Sequence, residues 1–347
     1  MSGRMAILVV AVAGMALPSL AANYKVVLPG PPNVAFSARD QAIETAFDSW
    51  VRQYHIANAA LAIRDHGTVI DGRGYGGDSP VMPEPVASES KSVTAMCVLK
   101  LVEGGRLKFT DTLGAVLPDF FRANRPHDAA AQNITLAALL THTSGIVNDP
   151  TQGSALNQFR PYDKTEFGKE LAIALAAPLG APKYFYNNIN YAALGLVIET
   201  VTGKPYEDLC RNLVLKPAGI SDAMLNPPWR MMGSFGGWKL SADDEAKFLA
   251  YFEPGSHLVA IPASQWPRQP VGGGAFYSLG VLMRPNGSDY NFWHFGSWST
   301  SQPKASFGAY FLSLPNGMGV AATYQPTIDD PASSALDSAM DNAAAKG

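Results

Sequence analysis

Apolar residues near the start of the chain recur three or four positions apart, the spacing of one helix face. They follow Ser37, a residue type that caps helices, with Asp40 three residues on, and they are Ile43, Phe47, Trp50, Val51 and Tyr54. An amphipathic helix with one buried face is therefore expected. Apolar runs at residues 59–64 and 68–72 then flank Asp65-His66-Gly67. This is a hairpin signal, because glycine readily adopts the positive φ that the turn needs.

The segment that follows, residues 90–102, carries apolar residues on all sides and ends at Gly104 and Gly105. A helix that is apolar all round is typical of a protein interior. The middle of the chain is then helical and loop-rich, with helices predicted at residues 136–140 behind Thr135, at residues 191–201 before Gly203, and from Pro205 onward. No strand is predicted between about residues 109 and 229.

Short runs typical of strands return in the last third of the chain, at residues 278–283, 290–294, 308–314 and 319–324, before an Ala-rich helix that begins at Asp330. The simplest architecture is an α+β fold whose antiparallel sheet is built from both chain ends and is flanked by the two terminal helices. We predict a discontinuous sheet domain, residues 22–95 and 235–347, and an inserted all-helical domain, residues 96–234. The cleft between them is the expected site.

The first 21 residues resemble an export signal. Arg4 precedes an uninterrupted apolar run over residues 5–17, and small residues at positions 19–21 resemble a cleavage site. The run is shorter than the roughly 18 residues that a spanning helix needs, so cleavage before Ala22 is favoured over an uncleaved anchor. We expect an exported protein, periplasmic or secreted, with no stable membrane insertion after cleavage.

Composition narrows the function further. The 347 residues are 47% hydrophobic and 16% charged, with 26 Lys and Arg against 29 Asp and Glu. The net charge of -3 offers no broad basic surface, so a nucleic-acid partner is not expected. The six histidines form no close pair, and no metal site is predicted. Cys97 and Cys210 are compatible with one disulfide or with two buried thiols, and oligomeric state is left open.

Ser88 and Lys91 form a Ser-x-x-Lys pair at the start of the buried helix. Residues three apart share a helix face, and burial lowers the pKa of a lysine, so Lys91 can accept the proton of an otherwise weak serine nucleophile. The alternative is a helix-capping Ser88 and a surface Lys91. A second match at Ser301 and Lys304 contains Pro303 and lacks a helical run, so it is set aside.

Tyr186 and Asn188 flank one residue before the next predicted helix. In an extended segment their side chains point the same way, so a phenol that shuttles a proton and an amide that binds a carbonyl can face the cleft together. The alternative is that Asn188 caps the helix and Tyr186 belongs to the core.

His294 ends an aromatic strand and is followed by Gly296 and Ser297. Glycine leaves space for substrate against the backbone, and the N–H of Ser297 is then a possible oxyanion donor. The alternative is a structural histidine among aromatic side chains.

Together these segments resemble the penicillin-recognising serine hydrolases: class C beta-lactamases, related DD-peptidases and family VIII carboxylesterases. The similarity rests on ASESKSVTAMCVLKLVEGG (residues 87–105), ITLAALLTHTSGI (134–146), FYNNINYAALGLVIETVTG (185–203), LKPAGI (215–220) and His294-Phe295-Gly296. It implies attack by Ser88 on a carbonyl, proton movement through Lys91 and Tyr186, and an acyl-enzyme that water hydrolyses. No cofactor is implied, and which residue is the base stays open.

The resemblance also implies an oxyanion hole from the backbone N–H groups of Ser88 and Ser297, with Asn188 positioning the substrate and His294 on the opposite wall. Where many such beta-lactamases carry Lys-Thr-Gly, this chain has His294-Phe295-Gly296. Phe295 donates no hydrogen bond, so a substrate carboxylate should be held less well. We expect a small ester or amide as substrate, as for a carboxylesterase. A D-alanyl-D-alanine carboxypeptidase or other peptidase, a weak beta-lactamase, and an inactive penicillin-binding-like protein are the alternatives.

Overall fold

The computed structural model describes residues 37–301 and 304–345, so the predicted export signal lies outside the described residues. The helices are α1 (Ala38–Gln53), α2 (Ser90–Glu103), α3 (Leu113–Val116), α4 (Pro118–Ala123), α5 (Leu136–Leu140), α6 (Phe167–Leu175), α7 (Asn188–Thr202), α8 (Tyr206–Cys210), α9 (Gly233–Gly236), α10 (Ala242–Phe248) and α11 (Asp330–Ala344). No helix within the described ranges is long and apolar enough to cross a membrane.

The main sheet has eight strands in the order β2-β1-β11-β10-β9-β8-β7-β6, and every neighbouring pair is antiparallel. A three-stranded sheet has the order β3-β5-β4. The strands are β1 (Asn58–Asp65), β2 (Thr68–Tyr75), β3 (Glu84–Pro85), β4 (Met224–Leu225), β5 (Trp238–Leu240), β6 (Gln269–Gly272), β7 (Ala275–Ser278), β8 (Val281–Asn286), β9 (Asp289–Ser301), β10 (Lys304–Ser313) and β11 (Met318–Gln325).

Both chain ends build the main sheet, as predicted. β1 pairs with β11, from Ala59 opposite Tyr324 to Asp65 opposite Met318. The terminal helices α1 and α11 pack together against this part of the sheet, and Trp50 Nε1 donates a 2.9 Å hydrogen bond to the carbonyl of Ala332. The predicted α+β arrangement, an antiparallel sheet with flanking terminal helices, is confirmed.

Local sequence signals account for the ends of several helices. Ser37 caps α1, because its Oγ accepts a hydrogen bond from the N–H of Asp40 and the Asp40 carboxylate accepts one from the N–H of Ser37. Thr135 caps α5 in the same way through the N–H of Ala138. α7 ends at Gly203, whose φ of 66° is the left-handed conformation that stops a helix.

Two buried apolar clusters lie on opposite faces of the sheet. One fills the space beneath α1 and α11 and contains Phe47, Trp50 and Leu336. The other joins the opposite face to the helical region and contains α2 almost entirely, from Val93 to Leu101. α2 therefore runs through the protein interior, and the residues at its beginning lie where the sheet meets the helical region.

Two predictions about strands were wrong. β4 lies in the stretch where none was expected, because two residues that pair with β5 carry no alternating pattern of their own. The run at residues 278–283 is not one strand: β7 ends at Ser278, and Leu279 and Gly280 turn the chain with φ angles of 41° and 76°. A leucine in this conformation gives no turn signal. The division between residues 95 and 96 stays a prediction, and α2 crosses it.

Candidate active site

Ser88 and Lys91 lie side by side at the beginning of α2. Ser88 belongs to a 3-10 turn, Ala87–Glu89, that leads directly into the helix, so the two side chains share one face. Lys91 Nζ is 3.0 Å from Ser88 Oγ. Ser88 is half-buried, whereas Lys91 is fully buried. The alternative of a surface lysine is therefore excluded.

The three contacts of Lys91 Nζ define how its amine is oriented. Besides Ser88, the nitrogen is 2.8 Å from Asn188 Oδ1 and 2.9 Å from the carbonyl oxygen of Phe235. Both of these oxygens can only accept hydrogen bonds. A neutral amine has two N–H bonds and one lone pair. When the two N–H groups donate to Asn188 and Phe235, the lone pair faces the hydroxyl of Ser88.

Burial also favours the neutral amine. Desolvation of the ammonium lowers the pKa of Lys91 to about 7, although the negative charge of Asp149 acts in the opposite direction. A large fraction of Lys91 is then deprotonated near neutral pH. Lys91 therefore combines the orientation and the protonation state of a general base for Ser88.

Burial keeps Tyr186 protonated, whereas it favours the deprotonated form of Lys91. Desolvation of the phenolate raises the pKa of Tyr186 above its ordinary value, and hydrogen bonding with Ser88 only partly offsets this effect. The phenol stays protonated at neutral pH, so it can donate a proton but is a poor first base. The centroid of its ring lies 4.9 Å from Lys91 Nζ and 4.4 Å from the centroid of the His142 ring, to which it is tilted by 38°. With 39% of the residue exposed, Tyr186 lies at the boundary between the core and the cleft.

Asn188 is not the cap of α7. Its neighbour Asn187 is, because the Asn187 side chain accepts a hydrogen bond from the N–H of Ile189 at 2.8 Å. The side chain of Asn188 is free to turn inward, where its oxygen meets Lys91. Asn187 therefore caps the helix, and Asn188 contacts Lys91.

β9 carries His294, Gly296 and Ser297 past the Ser88 turn. His294 is 4% exposed, and desolvation together with the nearby Lys91 lowers its pKa to about 3. It is neutral at physiological pH. Ser297 is exposed and lines both cavities that border Ser88.

Gly296 does not leave space for substrate, contrary to the prediction from the sequence. The space next to this glycine is occupied by protein: a Cβ on residue 296 would lie 2.0 Å from the carbonyl oxygen of Val86. Glycine lets β9 approach the turn that carries Ser88, which is itself bent by the positive φ of Ala87, 45°. The close approach brings the backbone of Ser297 near that of Ser88.

Ser88 lies between two cavities of different character. The larger, about 1170 Å³, is lined mainly by polar residue types, and its described lining includes Arg160 and Lys304 but no carboxylate. The smaller, about 340 Å³, is mainly aromatic and apolar and is lined by Ser88, Tyr184, Tyr186, Tyr277, Leu282, His294, Phe295 and Ser297. A substrate attached to Ser88 can thus extend into two environments.

The second Ser-x-x-Lys match does not form a comparable pair. Ser301 ends β9 and Lys304 begins β10, both exposed at the rim of the larger cavity. No group of three or more histidine, cysteine, aspartate or glutamate side chains suited to a metal ion occurs in the described part of the chain.

Sequence reasoning missed five residues around this site. His142 packs between Tyr186 and Tyr277, the carbonyl of Phe235 meets Lys91, and Asp149 and Thr151 contact Asn188. Only His142 had a signal in the sequence, the HTSGI segment at residues 142–146. The other four lie far from Ser88 along the chain, and no local pattern predicts such contacts.

Comparison with known proteins agrees with this geometry. The family model described as "Beta-lactamase" matches residues 40–343. The chain belongs to the beta-lactamase family. Among curated relatives, Protein flp of Staphylococcus aureus is 30% identical over 189 residues, which are 51% of this chain and 36% of that protein. A putative penicillin-binding protein of Bacillus subtilis, PbpX, is 30% identical over 184 residues, 50% of this chain and 43% of that protein. The chain thus covers less than half the length of these two relatives.

Solved structures of the beta-lactamase fold superpose on most of this family member. An octameric penicillin-binding protein homologue from Pyrococcus abyssi matches with a TM-score of 0.70 and 20% identity, over 86% of this chain and 76% of that one. A D-stereospecific amidohydrolase from Streptomyces sp. matches with a TM-score of 0.66 and 21% identity, over 86% and 98%. A beta-lactamase/D-alanine carboxypeptidase from Pseudomonas syringae matches with a TM-score of 0.67 and 16% identity, over 88% of this chain and 98% of that one. The predicted fold class and family resemblance are confirmed.

Proposed function

We propose that this protein is an exported serine hydrolase that cleaves uncharged esters or amides through an acyl-enzyme on Ser88. The observation that carries the proposal is the set of contacts of Lys91 Nζ, which lies 3.0 Å from Ser88 Oγ and 2.8 and 2.9 Å from two carbonyl oxygens that can take its N–H bonds. Export is proposed from the pattern of the first 21 residues.

The reaction begins with proton transfer from Ser88 Oγ to Lys91 Nζ as Oγ bonds to the substrate carbonyl carbon. The carbonyl electrons move onto oxygen, and the N–H groups of Ser88 and Ser297 stabilise the resulting negative charge. When the tetrahedral intermediate collapses, the leaving group takes a proton from the phenol of Tyr186, which Lys91 reprotonates. Water then attacks the acyl-enzyme and passes a proton to the same groups, which releases the acid and restores Ser88.

The smaller cavity supports a substrate without charge on that side. Its walls are aromatic, and His294 is neutral because its pKa lies at about 3. Phe295 stands where many of the beta-lactamases that this chain resembles carry a threonine, whose hydroxyl helps to hold a substrate carboxylate. An apolar acyl or alcohol group gains from burial against these rings, whereas a carboxylate loses hydration and meets no lysine or arginine in the described lining.

The first test uses an activity-based probe. Purified protein treated with a fluorophosphonate should gain one adduct, located on Ser88 by peptide mass spectrometry. Ser88→Ala should lose both the adduct and the turnover of p-nitrophenyl butyrate and keep the wild-type circular dichroism spectrum. Ser301→Ala, in the other Ser-x-x-Lys match, is the control and should stay active. Unchanged ester turnover by Ser88→Ala would contradict the proposal.

A peptidase or amidohydrolase is the second candidate, and the larger cavity favours it. Arg160 and Lys304 bring two positive charges to walls whose described residues include no carboxylate, so this cavity suits a polar or anionic substrate arm. Values of kcat/KM for short-chain esters, benzylpenicillin and a D-alanyl-D-alanine peptide decide between the candidates. Preference for the peptide, reduced by Arg160→Gln, would favour the peptidase.

A further inference from the structure

Asp149 and Thr151 lie behind Asn188, in the loop between α5 and α6. Asp149 Oδ1 accepts hydrogen bonds from both the backbone N–H and the hydroxyl of Thr151, at 2.9 and 2.6 Å. Asp149 Oδ2 accepts a third from the backbone N–H of Asn188, at 3.1 Å. Thr151 is fully buried. One carboxylate therefore links the loop to the first residue of α7.

These bonds have a direction. A threonine hydroxyl has one proton, and that of Thr151 goes to Asp149, because a carboxylate can only accept. The Thr151 oxygen must then accept from its other neighbour, Asn188 Nδ2, at 3.2 Å. The NH₂ group of the amide is held on the side of Thr151, and the amide oxygen is left on the side of Lys91.

We propose that Asp149 and Thr151 are positioning residues that hold Asn188 with its amide oxygen toward Lys91, so that the lysine lone pair stays on Ser88. This inference rests on the proposed function. In the reversed orientation, the amide N–H groups would donate to the lone pair of a neutral Lys91 or repel its ammonium. Either contact removes the base from Ser88. The orientation of one amide thus decides whether Ser88 is activated.

Asp149 also acts on Lys91 through its charge. Of the ionisable groups around Lys91, His142 and His294 have lowered pKa values and are neutral, and Tyr186 stays protonated. On the other side of Asp149, burial raises the pKa of Glu170 on α6, which favours its neutral form. Asp149 is therefore the main charge that stabilises the Lys91 ammonium.

The role of the Thr151 hydroxyl is tested with Thr151→Val. This substitution keeps the shape of the side chain and removes its hydrogen bonds to Asp149 and Asn188. The rate constant for phosphonylation of Ser88 by the fluorophosphonate should fall about tenfold or more. Thr151→Ser should recover most of the rate, and Thr202→Val, at the other end of α7, should leave it unchanged. Thr151→Ala replaces the valine variant if the latter does not fold. A wild-type rate without the hydroxyl, or a loss that serine does not rescue, would overturn the proposal.

The charge is tested with Asp149→Asn. Loss of the negative charge disfavours the ammonium of Lys91, so the acid limb of the phosphonylation rate should move to lower pH while the maximum falls. Thr151→Val keeps the charge and should leave the limb in place. An unmoved limb in Asp149→Asn would overturn the electrostatic role.

A third measurement does not depend on activity. Exchange of the Asn188 side-chain amide protons, followed by NMR, should be slow in the wild type and in Thr151→Ser and faster in Thr151→Val. Equal exchange in all three overturns the inference even where Ser88 resists the probe. Resistance of wild-type Ser88 to the probe, by contrast, contradicts the proposed function alone.

Discussion

The backbone of Gly296 passes the carbonyl of Val86 so closely that a Cβ on residue 296 would lie 2.0 Å from the Val86 oxygen. Val86 precedes the turn that carries Ser88, and Gly296 precedes Ser297 on β9. This contact brings together the two backbone segments from which we expect the oxyanion donors. The absence of a side chain at residue 296 therefore lets β9 and the Ser88 turn lie close together.

Gly296→Ala should lower the rate of ester hydrolysis about a hundredfold, because the added methyl group pushes β9 away from the Ser88 turn. Steady-state kinetics with p-nitrophenyl butyrate measure this effect. Gly77→Ala is the control, since a Cβ there would meet its nearest neighbour, Asn58 Oδ1, at 3.8 Å. Full activity of Gly296→Ala would mean that the strand and the turn can separate without effect on catalysis.

Ester hydrolysis should decline on the acid side with an apparent pKa near 7. Burial lowers the pKa of Lys91 to about 7, and below that pH the ammonium has no lone pair to accept the proton of Ser88. His294, with a pKa of about 3, does not titrate in this range. The measurement is kcat/KM between pH 5 and 9. A flat profile from pH 5 to 8 would argue against Lys91 as the base. Lys91→Arg, which stays protonated, should be inactive throughout.

The stability of the fold should decrease as pH rises through the neutral range. Glu89 and Glu245 are buried next to each other, and desolvation raises the pKa of both, that of Glu245 from 4.5 to about 8. Between pH 4.5 and about 8 the folded protein then binds more protons than the unfolded chain. The free energy of unfolding therefore falls with increasing pH in this range.

Glu89→Gln removes one ionisable group and keeps a partner for Glu245. Urea unfolding should show this variant about 2 kcal/mol more stable than the wild type at pH 8 and little changed at pH 5. Asp119→Asn, at a side chain that is 85% exposed, is the control. Parallel stability curves for Glu89→Gln and the wild type would show that the pair does not retain its protons.

Cys97 and Cys210 should be present as two free thiols. Both are buried and unbridged, and burial raises the pKa of Cys210, which makes its thiol unreactive. Ellman's reagent should therefore label neither residue in the native protein and both after unfolding in guanidinium without reductant. An intact mass lower by two hydrogen atoms, with no thiol exposed on unfolding, would instead indicate a disulfide.

Much of the architecture could be predicted from local pattern. The spacing in α1, the apolar surface of α2, the hairpin at His66 and Gly67 and the stop at Gly203 each combine a periodic pattern with a residue suited to its end. Predictions failed where pairing depended on a distant partner, as in β4, or where Leu279 turned the chain without a turn signal. Short elements bury too little surface of their own to leave a pattern.

The same distinction applies to the site. The sequence by itself determined the spacing of Ser88 and Lys91 on one helix face and the nearness of Tyr186 to Asn188, since helix and strand periodicity act over a few residues. Only the tertiary structure decided that Asn187 caps α7, that Asn188 and Phe235 orient the Lys91 amine, and that Asp149 and Thr151 lie behind Asn188. These contacts join residues up to 144 positions apart, and the burial that lowers the pKa of Lys91 exists only once those segments have packed together.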